Sequence, residues 1–252
     1  MLTFLRKIRK SLIESLPAHE GDAKQAGGSN KKYLLYAIGE IALVVIGILI
    51  ALQINNWNVN HQESQQEETL LTEMRKNLKQ DVLTFENSLN QLKLRRNKIN
   101  TLSKLLHDPL TQPHDSLLGY FGAAYGVVPS RINTAIYEDL KSHGFDLIKN
   151  DSLRLGINRY FEEAIYRVKQ YDLSEQSVNE EIKPYYLRHF KEIQFRTTAT
   201  PIDVDFVLND VLYKNLIDYR LINLDSNQLT HHPWFIKEMK NLIRLIDQEL
   251  SE

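Results

Sequence analysis

The side chains best suited to holding a metal lie in one short segment. His107, Asp108, His114 and Asp115 supply two imidazoles and two carboxylates, and such groups ligate zinc and other divalent metals. Two prolines interrupt the same segment, which is equally typical of an ordinary exposed loop. Because nothing in the spacing fixes a coordination geometry, we predict that the chain binds no metal there.

Other titratable residues are weaker candidates for catalysis. Neighbouring positions of a helix point about 100° apart, so adjacent carboxylates do not by themselves make an acid–base pair. We expect these carboxylates on solvated faces: Glu162 with Glu163, and Glu180 with Glu181. His231 and His232 precede Pro233 and mark the start of a helix. The phosphate-binding, zinc-protease and serine-hydrolase motifs are absent from the sequence, and we predict a protein that is not an enzyme and carries no cofactor.

Aromatic residues alternate with arginines between residues 159 and 190. Such a mixture can line a pocket for an anionic or aromatic ligand. Helical bundles also bury tyrosine rings with the hydroxyl at the edge of the core, and the sequence favours this second interpretation. The residues are Tyr160, Phe161, Tyr166, Tyr171, Tyr185, Tyr186 and Phe190 with Arg159, Arg167 and Arg188.

An apolar run of 21 residues, Leu34–Ile54, is the element relative to which the other segments are placed. A helix rises about 1.5 Å per residue, so this run spans about 30 Å, the hydrocarbon thickness of a bilayer. We predict a transmembrane helix over 33–56. Tyr33 and Tyr36 at one end and Trp57 at the other match the aromatic residues that anchor a span at its two interfaces.

Three residues of this span indicate self-association. Gly47 and Ala51 form a small-x-x-x-small pair, which lets two helices approach closely. Glu40 is an intramembrane carboxylate, and such a group is a functional candidate. The alternative for Glu40 is a shallow position from which it reaches the lipid headgroups.

Charge sets the predicted orientation. Residues 1–32 carry seven Lys/Arg against three Asp/Glu, whereas residues 55–252 carry 24 against 28. Segments rich in Lys and Arg next to a span stay on its cytoplasmic side. We therefore expect the N-terminus in the cytoplasm and the large domain outside, in the periplasm. A cleaved signal peptide is the competing interpretation, but the apolar run is longer than such a peptide needs and no small-residue cleavage site follows it.

The segment before the span is predicted to be cytoplasmic, over residues 1–32. Met1–Leu16 has the pattern of a basic amphipathic helix that lies on an anionic leaflet; a frayed basic tail that only sets orientation is the alternative. Pro17–Asn30 is rich in small and polar residues and reads as a flexible linker.

After the span, apolar residues recur every seven positions in a run without proline or glycine from about His61 to Leu106. This pattern predicts a long helix with a narrow apolar seam. Asp81, Ser88 and Arg95 occupy the second seam position, which favours packing inside a helical bundle over a two-stranded coiled coil. The seam residues are Leu71, Leu78, Phe85, Leu92, Ile99 and Leu106, flanked by Met74, Val82, Leu89 and Leu102.

The rest of the chain shows helical spacing and no long alternating strand pattern, so we predict an all-α domain over 57–252. The expected helices cover Ser116–Tyr125, Arg131–Ser142, a helix capped by Asn150 or Asp151 that reaches about Pro184 with a further piece to Phe195, Asp203–Ile222 and Pro233–Leu250. Residues 196–203 read as a loop.

Two blocks near the N-terminus resemble an uncharacterised family of single-span proteins common in Bacteroidetes. They are FLRKIRKSLI, at Phe4–Ile13, and KKYLLYAIGEIALVVIGILIALQINNWN, at Lys31–Asn58. A weaker similarity covers Thr134–Phe161. The resemblance implies an inner-membrane protein with a periplasmic helical domain, and it carries no established activity.

These patterns leave two classes of function open. The first is a membrane-anchored interaction or sensor-like module that binds an unknown protein partner and forms a homo-oligomer through the span. The second is a small-ligand binder or an enzyme with an unrecognised pocket. The charge of the large domain gives nucleic-acid binding no support, and the absence of cysteine excludes disulfides.

Overall fold

The computed structural model describes residues 29–108 and 117–251 and is mostly helical. The helices are α1 (Ser29–His107), α2 (Leu117–Ala124), α3 (Ala135–His143), α4 (Asp151–His189), α5 (Val204–Asn209), α6 (Val211–Ser226) and α7 (Gln228–Glu249). Strands β1 (Phe190–Gln194) and β2 (Thr198–Pro201) form an antiparallel hairpin between α4 and α5, and a short 3-10 turn, Phe145–Leu147, precedes α4. The predicted amphipathic helix Met1–Leu16 and most of the linker lie outside the described residues.

Helix α1 is 79 residues long and contains both the apolar run and the seam. The chain divides into two compact units, the first ending at Asn60 and the second comprising His61–Glu252. By its length and composition, this helix could span a membrane. None of its most apolar 18-residue window, which lies in the first unit, is buried. An all-round apolar surface without protein cover is the pattern of a lipid-facing helix.

In the second unit the seam of α1 is buried, as predicted. All six residues of the seven-residue repeat are at most 2 % exposed. Phe85 packs against Phe235 of α7, with ring centroids 4.9 Å apart, within one apolar cluster that also contains α4 residues. Ile99 belongs to a second cluster, with Phe121 of α2 and Tyr213 of α6. The seam therefore packs inside a bundle made by its own chain.

The polar residues at the second seam position find partners in other elements. The Asp81 carboxylate accepts a hydrogen bond from the Asn133 backbone N–H at 2.9 Å. Ser88 Oγ lies 3.1 Å from His232 Nε2. Arg95 donates to two backbone carbonyls at 2.7 Å each. These three seam positions are polar because their side chains form hydrogen bonds that hold other segments, α7 among them, against α1.

The hairpin corrects the expectation that the domain is helical throughout. Helix α4 passes Pro184 and ends at His189, and the predicted helical piece to Phe195 is instead strand β1. Part of the predicted loop 196–203 is strand β2. The strands hold five and four residues, too few for an alternating pattern to stand out.

Local geometry explains why the hairpin is irregular. Its register shifts between Lys191 and Gln194. Glu192 and Arg196 have positive φ angles of 52° and 67°, a conformation that marks bulges and turns in non-glycine residues. Ala199 of β2 is fully buried, and its burial fixes the hairpin against the second apolar cluster.

Capping residues set most of the helix boundaries. Asn150 caps α4, since its side chain accepts from the N–H groups of Ser152 and Leu153. The predicted helix Asp203–Ile222 is two helices, α5 and α6, because Asp210 takes an extended conformation between them and caps α6 through the Leu212 N–H. Two predicted starts are wrong: α3 begins at Ala135 instead of Arg131, and α7 begins at Gln228, before Pro233.

Candidate functional site

The residues predicted for membrane association all lie on the exposed surface of α1. Glu40, Gly47 and Ala51 are exposed, and a Cβ atom built on Gly47 would meet nothing within 4 Å. Tyr33 and Trp57 are 74 % and 67 % exposed, whereas the Tyr36 side chain lies outside the described residues. The self-association of the span stays a prediction.

The metal candidates are split between described and undescribed residues. His107 Nε2 lies 3.0 Å from Asp218 Oδ2 of α6, while His114 and Asp115 lie outside the described residues. Within residues 29–108 and 117–251, no group of three or more His, Asp or Glu side chains could hold a metal ion. Among these residues, His107 is therefore a hydrogen-bond partner of Asp218 in α6.

A groove of about 750 Å³ lies between α4 and α7, within the size range of small-ligand sites. The lining residues of α4 are mostly spaced three or four apart, so they share one face of that helix, and the lining residues of α7 show the same spacing. Gly156 of the α4 wall faces Leu245: a Cβ atom at this glycine would lie 3.6 Å from Leu245 Cδ1, an ordinary van der Waals distance. The lining is Gly156, Arg159, Tyr160, Glu162, Glu163 and Arg167 of α4, and Trp234, Glu238, Asn241, Leu242 and Leu245 of α7.

One end of the groove is built around Trp234. The Arg167 guanidinium carbon lies 4.4 Å from the centroid of the indole ring, a cation–π geometry. Arg167 also pairs with Glu163 at 2.6 Å and donates to His231 Nδ1 at 3.2 Å. The Tyr160 ring is nearly parallel to the indole, at 6.4 Å between centroids. These contacts hold the indole in one orientation, as a preformed aromatic surface requires.

Charges along the groove divide into paired and unpaired groups. Glu162 accepts hydrogen bonds from Tyr137 and Lys141, at 2.7 and 3.2 Å, and these two donors lower the pKa of its carboxyl. Within the described residues, Arg159 of α4 and Glu238 of α7 form no ion pair. The groove therefore presents one unpaired cation and one unpaired anion from its two walls.

The hydroxyl of Tyr160, a residue of the α4 wall, is a buried polar group without a partner among the described residues. Tyr160 is 94 % buried, since its exposure is 6 %, and its hydroxyl has no hydrogen-bond partner in the part of the chain that the structure describes. Burial, with the nearby charges of Asp81 and Glu238, raises the pKa of this phenol far above its usual value. A buried hydroxyl without a partner is unfavourable, and this one is enclosed by the protein, so it is not itself exposed to the groove.

The two adjacent histidines of α7 have separate roles. His232 is buried, and its Nδ1 lies 2.9 Å from the Gln228 carbonyl. Because a carbonyl only accepts, Nδ1 carries the proton, and Nε2 accepts from Ser88. Burial lowers the pKa of both imidazoles, His231 with a further contribution from the Arg167 charge. His232 therefore joins α7 to α1 as a neutral side chain, while His231 borders the groove through Arg167.

A second polar assembly is fully enclosed and joins α1, α4 and α6. Arg220 Nη2 lies 3.0 Å from Glu175 Oε2 and donates to the Gly126 carbonyl at 2.7 Å. Arg95 donates to the same carbonyl at 2.7 Å. Burial and the Arg220 charge lower the pKa of Arg95 to about 9, and burial also lowers the pKa of Arg220. This cluster is closed to solvent, so we assign it to positioning of the three helices.

The comparisons with known proteins identify a family. A family model described as a family of unknown function, DUF6090, matches residues 40–224. The chain belongs to the DUF6090 family. No curated protein and no solved structure matches the chain. The DUF6090 match contains Arg95, Glu175 and Arg220 and the α4 wall of the groove, whereas α7 lies beyond its end.

Sequence reasoning named residues of one wall, within the less favoured of its two interpretations, and missed the other wall. The alternation of aromatic residues and arginines pointed to Arg159, Tyr160 and Arg167, which line it, whereas Tyr171, Tyr185 and Tyr186 are buried in the core, as the favoured interpretation expected. Trp234 and Glu238 went unnoticed. Their spacing of four residues, with Asn241 and Leu245 continuing the stripe, was the available signal.

Proposed function

We propose that this DUF6090 protein is a single-span protein of the inner membrane that acts as an interaction or sensor-like module and not as an enzyme. In this proposal residues 33–56 cross the bilayer, residues 1–32 are cytoplasmic, and the helical domain is periplasmic and acts without a cofactor or nucleic acid. We also assign the chain to the Bacteroidetes proteins that its N-terminal blocks resemble.

The observation that carries the proposal is the uncovered apolar part of α1. An 18-residue window of high mean hydropathy without any buried side chain is unfavourable in water, and a bilayer removes that cost. The same helix supplies the buried seam of the domain. A partner or ligand bound by the domain therefore contacts a bundle that shares one helix with the anchor.

Exposed apolar residues support binding of a protein partner. Large apolar side chains on a soluble domain mark interaction surfaces when they cluster. Six of them fall between residues 195 and 212, each at least 36 % exposed: Phe195, Ile202, Val204, Phe206, Val211 and Leu212. They lie in the turn of the hairpin, between β2 and α5, and in α5 and α6, all within the DUF6090 match.

A two-hybrid reporter of transmembrane association, carrying residues 31–58, tests the oligomer. Gly47→Ile should reduce the signal because the new side chain keeps two helices apart. Within the chain this position is open, so the change reports on association and not on the monomer. Val44→Ile is the matched control, since Val44 is already large and exposed. Equal signals from wild type and Gly47→Ile would contradict self-association through this face.

A small-ligand binder is the second candidate function, and the groove between α4 and α7 favours it. The groove combines an oriented indole with two unpaired charges of opposite sign. The interaction proposal and the ligand proposal are compatible, because a sensor-like module needs a ligand.

A further inference from the structure

The α4–α7 groove carries enough chemistry to define a class of ligand. Its two walls are different in charge: the unpaired guanidinium of Arg159 belongs to α4 and the unpaired carboxylate of Glu238 belongs to α7. The other charged lining residues are neutralised inside the protein, Arg167 by Glu163 and Glu162 by Lys141. What remains for a ligand is one positive and one negative site.

The aromatic surface between the walls adds a third requirement. Trp234 is half-buried and held by Arg167, and Leu242 and Leu245 continue the apolar lining along α7. Apolar or aromatic ligand groups pack on such a surface.

We propose that this groove binds a zwitterionic amino acid or short peptide with an apolar side chain. The ligand carboxylate pairs with Arg159, and the ligand ammonium pairs with Glu238. The apolar side chain packs on Trp234. A bidentate guanidinium–carboxylate contact and an ammonium–carboxylate contact give the ligand one orientation. The inference is independent of membrane anchoring.

The composition of the chain offers a selective readout. The protein contains two tryptophans, Trp57 and Trp234. A full-length Trp57→Phe variant in detergent micelles therefore emits from the groove alone. Titration with L-phenylalanine should change this emission saturably. The dipeptide Gly-Phe and the tripeptide Gly-Gly-Phe, in parallel titrations, identify the length of ligand that matches the distance between the two charged walls.

Probes that lack one charge test the zwitterion requirement. N-acetyl-L-phenylalanine keeps the carboxylate and L-phenylalanine amide keeps the ammonium; each should bind at least about tenfold more weakly than the best zwitterion. Equal binding of the acetylated compound would show a simple anion site and overturn the proposal. Absence of saturation by every zwitterion up to about 10 mM, a concentration at which even millimolar affinity is visible, would also overturn it.

Matched substitutions locate the site. Arg159→Gln and Glu238→Gln should each weaken binding of the best zwitterion by about tenfold or more, and Arg159→Gln should leave binding of the phenylalanine amide unchanged. Arg188→Gln and Glu181→Gln alter exposed residues of α4 outside the groove and should leave affinity unchanged. If the groove and control variants bind alike, the ligand lies elsewhere and the proposal is wrong.

Discussion

Buried charge in this domain is concentrated where Arg95, Glu175 and Arg220 meet. Two guanidiniums share the Gly126 carbonyl, and one carboxylate compensates them. Desolvation makes such an arrangement costly, and removal of one partner exposes the full penalty of the charges that remain. Its contribution is therefore to specify how α1, α4 and α6 pack, more than to add stability.

Glu175→Gln should destabilise the domain by about 3–5 kcal/mol, because two buried arginines would lose their compensating charge. Glu86→Gln is the control: the Glu86–Lys240 pair is exposed, and its loss should cost between about 0 and 1 kcal/mol. Chemical denaturation of the full-length chain in micelles, followed by circular dichroism, measures both. Similar midpoints for the two variants would contradict the assignment of a structural role to this cluster.

His232 makes stability depend on pH. Its pKa is lowered in the folded protein, so between that value and the unfolded value of about 6.5 the unfolded chain binds more protons. Stability should be complete above about pH 6.5 and fall as pH decreases through the lowered pKa. Denaturation midpoints at pH 7.5 and 5.5 measure this change. His232→Gln should reduce the difference; an unchanged difference would assign the effect to other groups, His231 included.

At the scale of elements, the seam of α1 carries the core. Leu78, Phe85 and Leu92 are each 2 % exposed, and truncation to alanine at any of them should cost about 2–5 kcal/mol. Lys76→Ala changes an exposed position of the same helix and should stay within about 0.5 kcal/mol of wild type. The same denaturation assay measures the series. Seam variants that unfold like Lys76→Ala would contradict the bundle packing.

Helix α2 and strand β2 approach too closely for any side chain at Gly122. A Cβ atom there would lie 2.2 Å from the Thr198 backbone nitrogen, and a backbone atom cannot turn aside as a side chain does. Gly122→Ala should therefore cost about 1–3 kcal/mol or more. Gly119→Ala, whose Cβ would meet only the Thr197 oxygen at 3.9 Å, should be neutral or stabilising by up to about 1 kcal/mol. Equal stabilities would contradict this packing.

Elements with many periodic residues could be predicted, and short ones could not. The seam of α1 repeats over six heptad positions, so its buried face follows from spacing alone. The hairpin depends on the tertiary contacts of Phe190 and Ala199, and no local sequence pattern predicts these contacts. The predicted helix is broken at Asp210 because this side chain caps the start of α6. The surrounding residues have helical spacing, so the spacing alone did not show the break.

At the scale of the whole molecule, the same contrast applies to the candidate site. The α4 wall was predictable because Arg159 and Tyr160 stand among other aromatic and basic residues. Trp234 and Glu238 join them only through the pairing of α4 with α7, some 75 residues apart in the chain. The buried cluster likewise unites three helices, and only Arg95 carried a signal, as a charge at a seam position.

The proposed function requires that the domain lie outside the cytoplasm, with residues 33–56 as an uncleaved anchor. Alkaline phosphatase is active only outside the cytoplasm, whereas green fluorescent protein exported through the general secretion pathway stays dark. Each reporter, fused after Glu252 of the full-length chain, measures the side on which the domain lies. We predict active phosphatase and dark green fluorescent protein, with an intact N-terminus. Fluorescent, phosphatase-inactive fusions, or a mature N-terminus near Gln53, would contradict it.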